Sequence, residues 1–198
     1  MFSGIIESLG KVSDIQQKGT NLTFTIESSL TPELKVDQSV AHNGVCLTVE
    51  QIGEQHYKVT AVLETLNKTT LGSWKAGDIV NLERCLSLNS LIDGHLVQGH
   101  VDVQGKIESI EDQDGSQLLT LSYPREFAHL LIEKGSITIN GISLTAFDLS
   151  DNNTFKVTII PYTWEHTMLH TAKSGDSVNL EFDLIGKYLS RRIELKEK

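Results

Sequence analysis

SVAHNGVCLTV at residues 39–49 and SITINGISLTA at residues 136–146 carry Ser, Asn, Gly, Leu and Thr in the same register. Three further pairs repeat around them. KAGDIVNLE (75–83) and KSGDSVNLE (173–181) agree at seven of nine positions. AVLETLNKTTL (61–71) lies over IIPYTWEHTML (159–169) and keeps two threonines, Thr65 with Thr163 and Thr69 with Thr167. FSGIIESLGKV (2–12) lies over VQGHVDVQGKI (97–107). All four pairs occur in the same order at an offset of 95 to 98 residues. The chain is therefore two copies of one unit of about 90 residues, with a boundary near residues 87–97.

The unit is all-β. Stretches 22–26, 45–49, 57–63, 79–83, 95–103, 117–123, 137–147, 155–160 and 177–184 alternate or run apolar and are rich in Val, Ile and Thr. Short strands at this spacing, punctuated by Gly, Asn, Asp and Ser, predict antiparallel barrels or sandwiches. Each copy is long enough for a small closed barrel, and closure removes edge strands. Helical signals are few: 64–72 and 125–135 could each form two turns ending at Gly. From Leu184 the pattern changes, with Ile185, Leu189 and Ile193 four apart among basic residues, an amphipathic helix with a narrow apolar stripe. Alone such a helix is marginal in water. It either packs on its own domain or serves oligomerisation.

Composition narrows the function classes. The 198 residues hold 17 Lys and Arg against 26 Asp and Glu, a net charge of −9, with 39% hydrophobic and 22% charged residues. That is ordinary globular material, and its acidity argues against nucleic acid and against an anionic membrane surface. No run approaches the roughly 18 apolar residues of a spanning helix, and the N-terminus does not read as a signal peptide. Two cysteines, Cys46 and Cys85, do not make a disulfide scaffold. A soluble cytoplasmic protein is expected.

Within VCLTV, Val45, Leu47 and Val49 share one face and fill the barrel, leaving Cys46 and Thr48 on the other. The second copy presents Ser143 and Thr145 at the same two places, a thiol in one copy against a hydroxyl in the other. His95 and His100 in DGHLVQGHVD do not make a metal site: Gly94 and Gly99 disfavour a helix, the offset of five puts the rings on opposite faces of a strand, and zinc wants three or four clustered ligands. They read better as donors or general bases. No GxGxxG, GxxxxGK[ST], GxSxG or HExxH motif is present. A flavin-reductase barrel would carry an Arg-x-Tyr-Ser strand, and SYPR (122–125) has the wrong order.

MFSGIIE, SVAHNGVCLTV, ETLNKTTLG, VNLERCL, GHLVQGHVD, KGSITINGISLT and the closing VNLEFDLIGKYLSRR together resemble the riboflavin synthase family, in order and over almost the whole chain. The resemblance implies two tandem, similar six-stranded antiparallel Greek-key β-barrels, residues 1–96 and 97–183, and a C-terminal helix, 184–198, that assembles a homotrimer. It implies conversion of two 6,7-dimethyl-8-ribityllumazine molecules into riboflavin and 5-amino-6-ribitylaminouracil by transfer of a four-carbon unit, without metal or organic cofactor. One lumazine would lie on an N-terminal barrel and the other on a neighbouring subunit's C-terminal barrel, and lumazine synthase is a candidate partner.

Carried onto this chain, catalytic positions fall on Ser39, Cys46, His95 and His100, and Phe2 matches an N-terminal aromatic. The N-terminal site would use Gly4, Ile5 and Ile6, then Cys46, Leu47 and Thr48, then Thr60, Ala61, Val62, Leu63, Glu64 and Thr65. Gly99, His100 and Val101 would belong to the facing half-site. The C-terminal site would use Lys134, then Ser143, Leu144 and Thr145, then Ile160, Pro161, Tyr162, Thr163, Trp164 and Glu165. Ser3, Asp93, Tyr162 and Trp164 depart from the family pattern. Chemically, the main need is to hold two rings face to face, where positioning is worth roughly 10⁵–10⁸ M of effective concentration. His100 is the candidate for proton handling; the nucleophile is Cys46, Ser39 or a held hydroxide. The competing classes are a non-catalytic antenna protein that holds one ligand, and a purely structural β-module.

Overall fold

The structure is a computed structural model and describes residues 1–196. Of the tail expected to be helical over 184–198, Glu197 and Lys198 lie outside the described residues.

The first copy folds into β1 (Ser8–Lys18), β2 (Asn21–Ser28), β3 (Ser39–His42), β4 (Val45–Ile52), β5 (His56–Ala61) and β6 (Ile79–Arg84). They form a closed antiparallel barrel in the Greek-key order β1-β2-β5-β4-β3-β6. The second copy repeats it with β7 (Val103–Asp112), β8 (Gln117–Ser122), β9 (Ser136–Ile139), β10 (Ile142–Thr145), β11 (Thr154–Ile159) and β12 (Ser177–Phe182), ordered β10-β9-β12-β7-β8-β11. A bridge between Phe147 and Lys156 brings its two outer strands together, so this barrel is nearly closed. Short helices α1 (Leu63–Lys68) and α2 (Pro161–His166) follow β5 and β11. Helix α3 (Leu184–Glu194) ends the described chain, capped by Asp183, whose carboxylate accepts from the Ile185 N–H. No helix among the described residues is long and apolar enough to cross a membrane.

Period-two patterning builds both cores. Val40, Val45, Leu47, Val49, Tyr57, Val59 and Leu82 fill the first barrel, and Ile137, Ile139, Ile142, Phe155, Val157 and Leu180 the second. Each copy bends its first strand with a bulge at the matching place, between Val12 and Asp14 and between Ile107 and Ser109. Such bulges sharpen the twist that lets a short sheet curl on itself.

A pseudo-two-fold contact joins the barrels. Asn81 donates from Nδ2 to the Asn140 carbonyl at 2.9 Å, and Asn179 donates from Nδ2 to the Asn43 carbonyl at 2.9 Å. Their Oδ1 atoms accept from the Met168 and Thr70 N–H groups at 2.7 and 2.8 Å. The two Asn-Gly turns touch backbone to backbone; a Cβ on Gly44 would lie 2.7 Å from the Gly141 nitrogen.

One difference between the two cores is a buried polar pair. His42 is fully buried, with Nε2 2.8 Å from the Tyr57 hydroxyl and Nδ1 3.0 Å from the Val40 carbonyl oxygen. Ile139 and Phe155 stand at the matching positions of the second barrel. Burial pushes the His42 pKa down to about 4 and the Tyr57 phenol up. An unfolded histidine takes up its proton near 6.5, so stability falls as pH drops from about 6.5 to about 4, by about 3 kcal/mol in all. The double variant His42→Ile/Tyr57→Phe should lose that acid sensitivity. Urea unfolding at about pH 7 and about pH 4.5 measures it, and an unchanged pH slope in the variant contradicts the assignment.

Three local expectations change. The 95–103 segment is not a strand: β7 begins at Val103, and only Val97 makes a β-bridge, to Phe2. Glycines at 94 and 99 break the extension, and a buried carboxylate takes two of its N–H groups instead of a neighbouring strand. The 64–72 stretch is α1 followed by a 3-10 turn over Thr70–Ser73, and 125–135 holds only a 3-10 turn, Arg125–Leu130.

Candidate functional site: two exchanged clefts

The antiparallel register sets which face each candidate occupies. Ser39 pairs with Thr48 and Ala41 with Cys46, while Val40 and Leu47 point into the barrel. Ser39, Cys46 and Thr48 therefore share the outer face, and the pairing of Val49 with Val59 adds Thr60 to it. Thr60 is tied to Thr23 by a 2.9 Å hydroxyl contact and donates to Glu50 at 3.0 Å. Beyond it, Val62 and Leu63 are exposed at the entry to α1. Leu47 and Ala61 are buried in or against the first core, so only their backbone groups could meet a ligand.

The second barrel repeats this face. Thr138 pairs with Ser143 and Ser136 with Thr145. Exposed Ile160 and Tyr162 stand where Val62 and Glu64 do in the first copy. The Tyr162 ring stacks on His166 at 4.1 Å.

Each face is completed by the leader of the other copy. The Gly99 carbonyl accepts the Cys46 N–H at 2.8 Å, and the Gly4 carbonyl accepts the Ser143 N–H at 2.8 Å. Both glycines hold positive φ, +78° and +79°, and both lie so close that a Cβ would collide: 2.7 Å from Cys46 Cβ at Gly99, 2.6 Å from Ser143 Cβ at Gly4. Only glycine meets both conditions. Val101 then packs on the first core and Ile6 on the second. Phe2, fully buried, bridges to Val97 and packs with Ala41, Cys46 and Cys85.

This exchange corrects the expected grouping. Gly4, Ile5 and Ile6 sit on the second barrel, and Gly99–Val101 on the first. With Ser143, Tyr162, Thr163 and Glu165, residues 4–6 line a cleft of about 510 Å³. Lys134, Leu144, Thr145, Ile160, Pro161 and Trp164, expected there, do not line it. Trp164 turns inward onto the second core, at the place Leu66 takes in the first. Lys134 lies at the open end of the β9–β10 hairpin, its ammonium 4.5 Å over the Phe147 ring.

The histidines separate. His95 reaches the second barrel, Nδ1 2.7 Å from Ser143 Oγ and Nε2 3.2 Å from Thr138 Oγ1. Burial lowers its pKa, opposed by the charge of Asp183. His100 follows Gly99 on the first cleft with its side chain exposed. Ser39, Cys46 and His100 thus belong to the outer face of the first barrel and His95 to that of the second. No group of three or more His, Cys, Asp or Glu side chains suited to a metal occurs among the described residues.

Sequence reasoning missed His166, Thr138, and the buried carboxylates Glu83 and Glu181. The last two were visible in the sequence only as the shared VNLE of the repeat.

The lumazine binding domain family matches the chain twice, at residues 3–85 and 98–183. Riboflavin synthase of Actinobacillus pleuropneumoniae is 40% identical over 192 residues, covering 96% of this chain and 89% of the relative. That of Bacillus amyloliquefaciens is 38% identical over 199 residues, covering 100% and 92%. That of Bacillus subtilis (strain 168) is 36% identical over 192 residues, covering 96% and 89%. Among solved structures, the fold is similar to LumP complexed with riboflavin, TM-score 0.86 at 22% identity, and to LumP complexed with 6,7-dimethyl-8-(1'-D-ribityl) lumazine, TM-score 0.83 at 21% identity. Both cover 92% of this chain and 99% of that one. At that identity the likeness to LumP shows the fold alone.

Proposed function

The chain belongs to the riboflavin synthase family, and from that premise we propose that each of its two clefts holds one 6,7-dimethyl-8-ribityllumazine. The reaction is the transfer of a four-carbon unit from one lumazine to the other, giving riboflavin and 5-amino-6-ribitylaminouracil. The observation that carries this reading is the doubled face: one strand face, one threonine-bearing helix entry and one exchanged glycine carbonyl, built twice, with Cys46 in one and Ser143 in the other. Two near-equal sites suit two identical reactants, and one chemical difference suits their unequal fates.

The chain's own residues supply orientation and proton movement. Exposed Val62 and Leu63 beside one face, and Ile160 and Tyr162 beside the other, offer apolar surface to a flat ring. Strand N–H and C=O groups beside Cys46 and Ser143 offer its polar edge hydrogen bonds. His100 handles the proton of the lumazine methyl group, and Cys46, Ser39 or a hydroxide held there adds to the other ring. Fixing two reactants in contact is worth roughly 10⁵–10⁸ M of effective concentration.

The two clefts have separate linings within one chain, so the rings meet when the first cleft of one subunit faces the second cleft of a neighbour. Helix α3 supports that assembly. Ile185, Leu189 and Ile193 remain mostly exposed along a groove of about 560 Å³ that they share with Leu130 and Ile132. A homotrimer held by α3 is the assembly we propose. Purified protein, exhaustively chelated, should convert the lumazine to riboflavin with no added metal, nucleotide or reductant. Activity lost on chelation and restored by one particular metal contradicts the reading.

A further inference from the structure

Two carboxylates are buried at matching places, Glu83 on β6 and Glu181 on β12, each 3% exposed. Neither has a basic partner within ion-pair distance among the described residues; both are occupied by backbone. Glu83 accepts the Ser3 N–H at 2.6 Å and the Ser3 hydroxyl at 2.8 Å on Oε1, and the Gly4 N–H at 3.0 Å on Oε2. Glu181 accepts the Gln98 N–H at 2.7 Å on Oε1 and the His100 N–H at 2.8 Å on Oε2. Burial raises the pKa of both, and the donated hydrogen bonds oppose it. A buried carboxylate is expensive unless satisfied in this way, and hydrogen bonds to it are stronger than neutral ones.

The segments they grip are the two exchanged leaders. The peptide held by Glu181 carries the Gly99 carbonyl onto Cys46, and His100 is the next residue. Glu83 holds the N–H groups of Ser3 and Gly4, one peptide before the Gly4 carbonyl that accepts the Ser143 N–H. We propose that Glu181 and Glu83 are positioning residues for the reaction, each fixing the cleft of the barrel to which it does not belong. Glu181, in the second barrel, sets the Cys46 cleft; Glu83, in the first barrel, sets the Ser143 cleft. This rests on reading those clefts as the lumazine sites. Position in the sheet alone ranks them the other way, since Glu83 pairs with Ala41, which pairs with Cys46, three residues in one row.

The test compares Glu181→Gln with Glu83→Gln in the full chain. The amide keeps the volume and gives up the charge and one accepting oxygen. The first readout needs no turnover: the rate of Cys46 alkylation, located on its peptide by mass spectrometry so that Cys85 does not confuse it. Glu181→Gln should change that rate by about tenfold, the scale of one lost charge-assisted hydrogen bond, and Glu83→Gln by less than about twofold. If Glu181→Gln does not fold, Glu181→Asp, with a carboxylate drawn back by one methylene, should show the same selectivity. Equal changes in both variants, or a larger change in Glu83→Gln, overturn the proposal. Riboflavin formation by wild-type protein is measured alongside. Its absence would refute the reading of the clefts, whereas the alkylation ranking tests the carboxylates independently.

Discussion

Cys46→Ala should lower kcat by about a hundredfold or more with little change in KM, while Ser143→Ala should raise KM several-fold and leave kcat within about threefold. The two side chains occupy the same place in the two clefts, each under the carbonyl of an exchanged glycine. Their surroundings differ. Ser143 Oγ is already engaged by His95 at 2.7 Å, and that histidine is itself held at 3.2 Å from Thr138. A hydroxyl tied into such a network serves to shape a pocket. Cys46 is half-buried against Phe2, Ala41 and Val97, an apolar setting around the thiol. On the proposed function, the thiol of one cleft reacts and the hydroxyl of the other binds. Steady-state kinetics on both variants, with ligand affinity measured by riboflavin fluorescence, separates the two effects. Equal, modest falls in kcat with unchanged KM would show that the asymmetry has no chemical role.

Charging the stripe of α3 should remove most turnover without touching either cleft. In Leu189→Glu/Ile193→Glu, two side chains that are 58% and 57% exposed on the single chain become carboxylates. If a neighbour covers them, each forfeits roughly 1.5–3 kcal/mol of apolar burial and sets a charge in its place. The variant is chosen to spare Lys187, which pairs with Asp102 at 2.6 Å; Asp102 in turn accepts the Phe182 N–H beside Glu181. Truncating the helix would break that link and disturb the first cleft directly. The expected product is a folded monomer that still binds riboflavin but makes little of it. Sedimentation mass, ligand titration and product formation on one sample decide the matter. A fully active monomer would place both half-reactions within one chain.

The repeat carried most of the fold. Alternation in VCLTV put Leu47 inside and Cys46 outside, because a strand leaves each residue only two faces, and the four-residue spacing of Ile185, Leu189 and Ile193 marked α3 for a similar reason. What alternation cannot express is exchange. Aligning residues 2–12 with 97–107 showed that the leaders correspond, but an aligned leader carries no sign of crossing to the other barrel. That left Gly4–Ile6 assigned to the wrong cleft. The 95–103 stretch looked like a strand because Val97, Val101 and Val103 alternate, yet a distant carboxylate, Glu181, takes the hydrogen bonds a ladder would have used. Trp164 misled by size: its position in α2 is the inward one that Leu66 fills in α1. Glu83 and Glu181 went unnoticed since a charged residue in a strand pattern reads as solvent-facing until its partners are known.

On the proposed function, two identical lumazines, one per cleft, are consumed to make one flavin. The measurement is a product balance: purified protein incubated with 6,7-dimethyl-8-ribityllumazine alone, with lumazine, riboflavin and 5-amino-6-ribitylaminouracil quantified over time. The expected balance is one riboflavin and one 5-amino-6-ribitylaminouracil for every two lumazines lost. A stable fluorescent complex in which the lumazine is held but never consumed would contradict it.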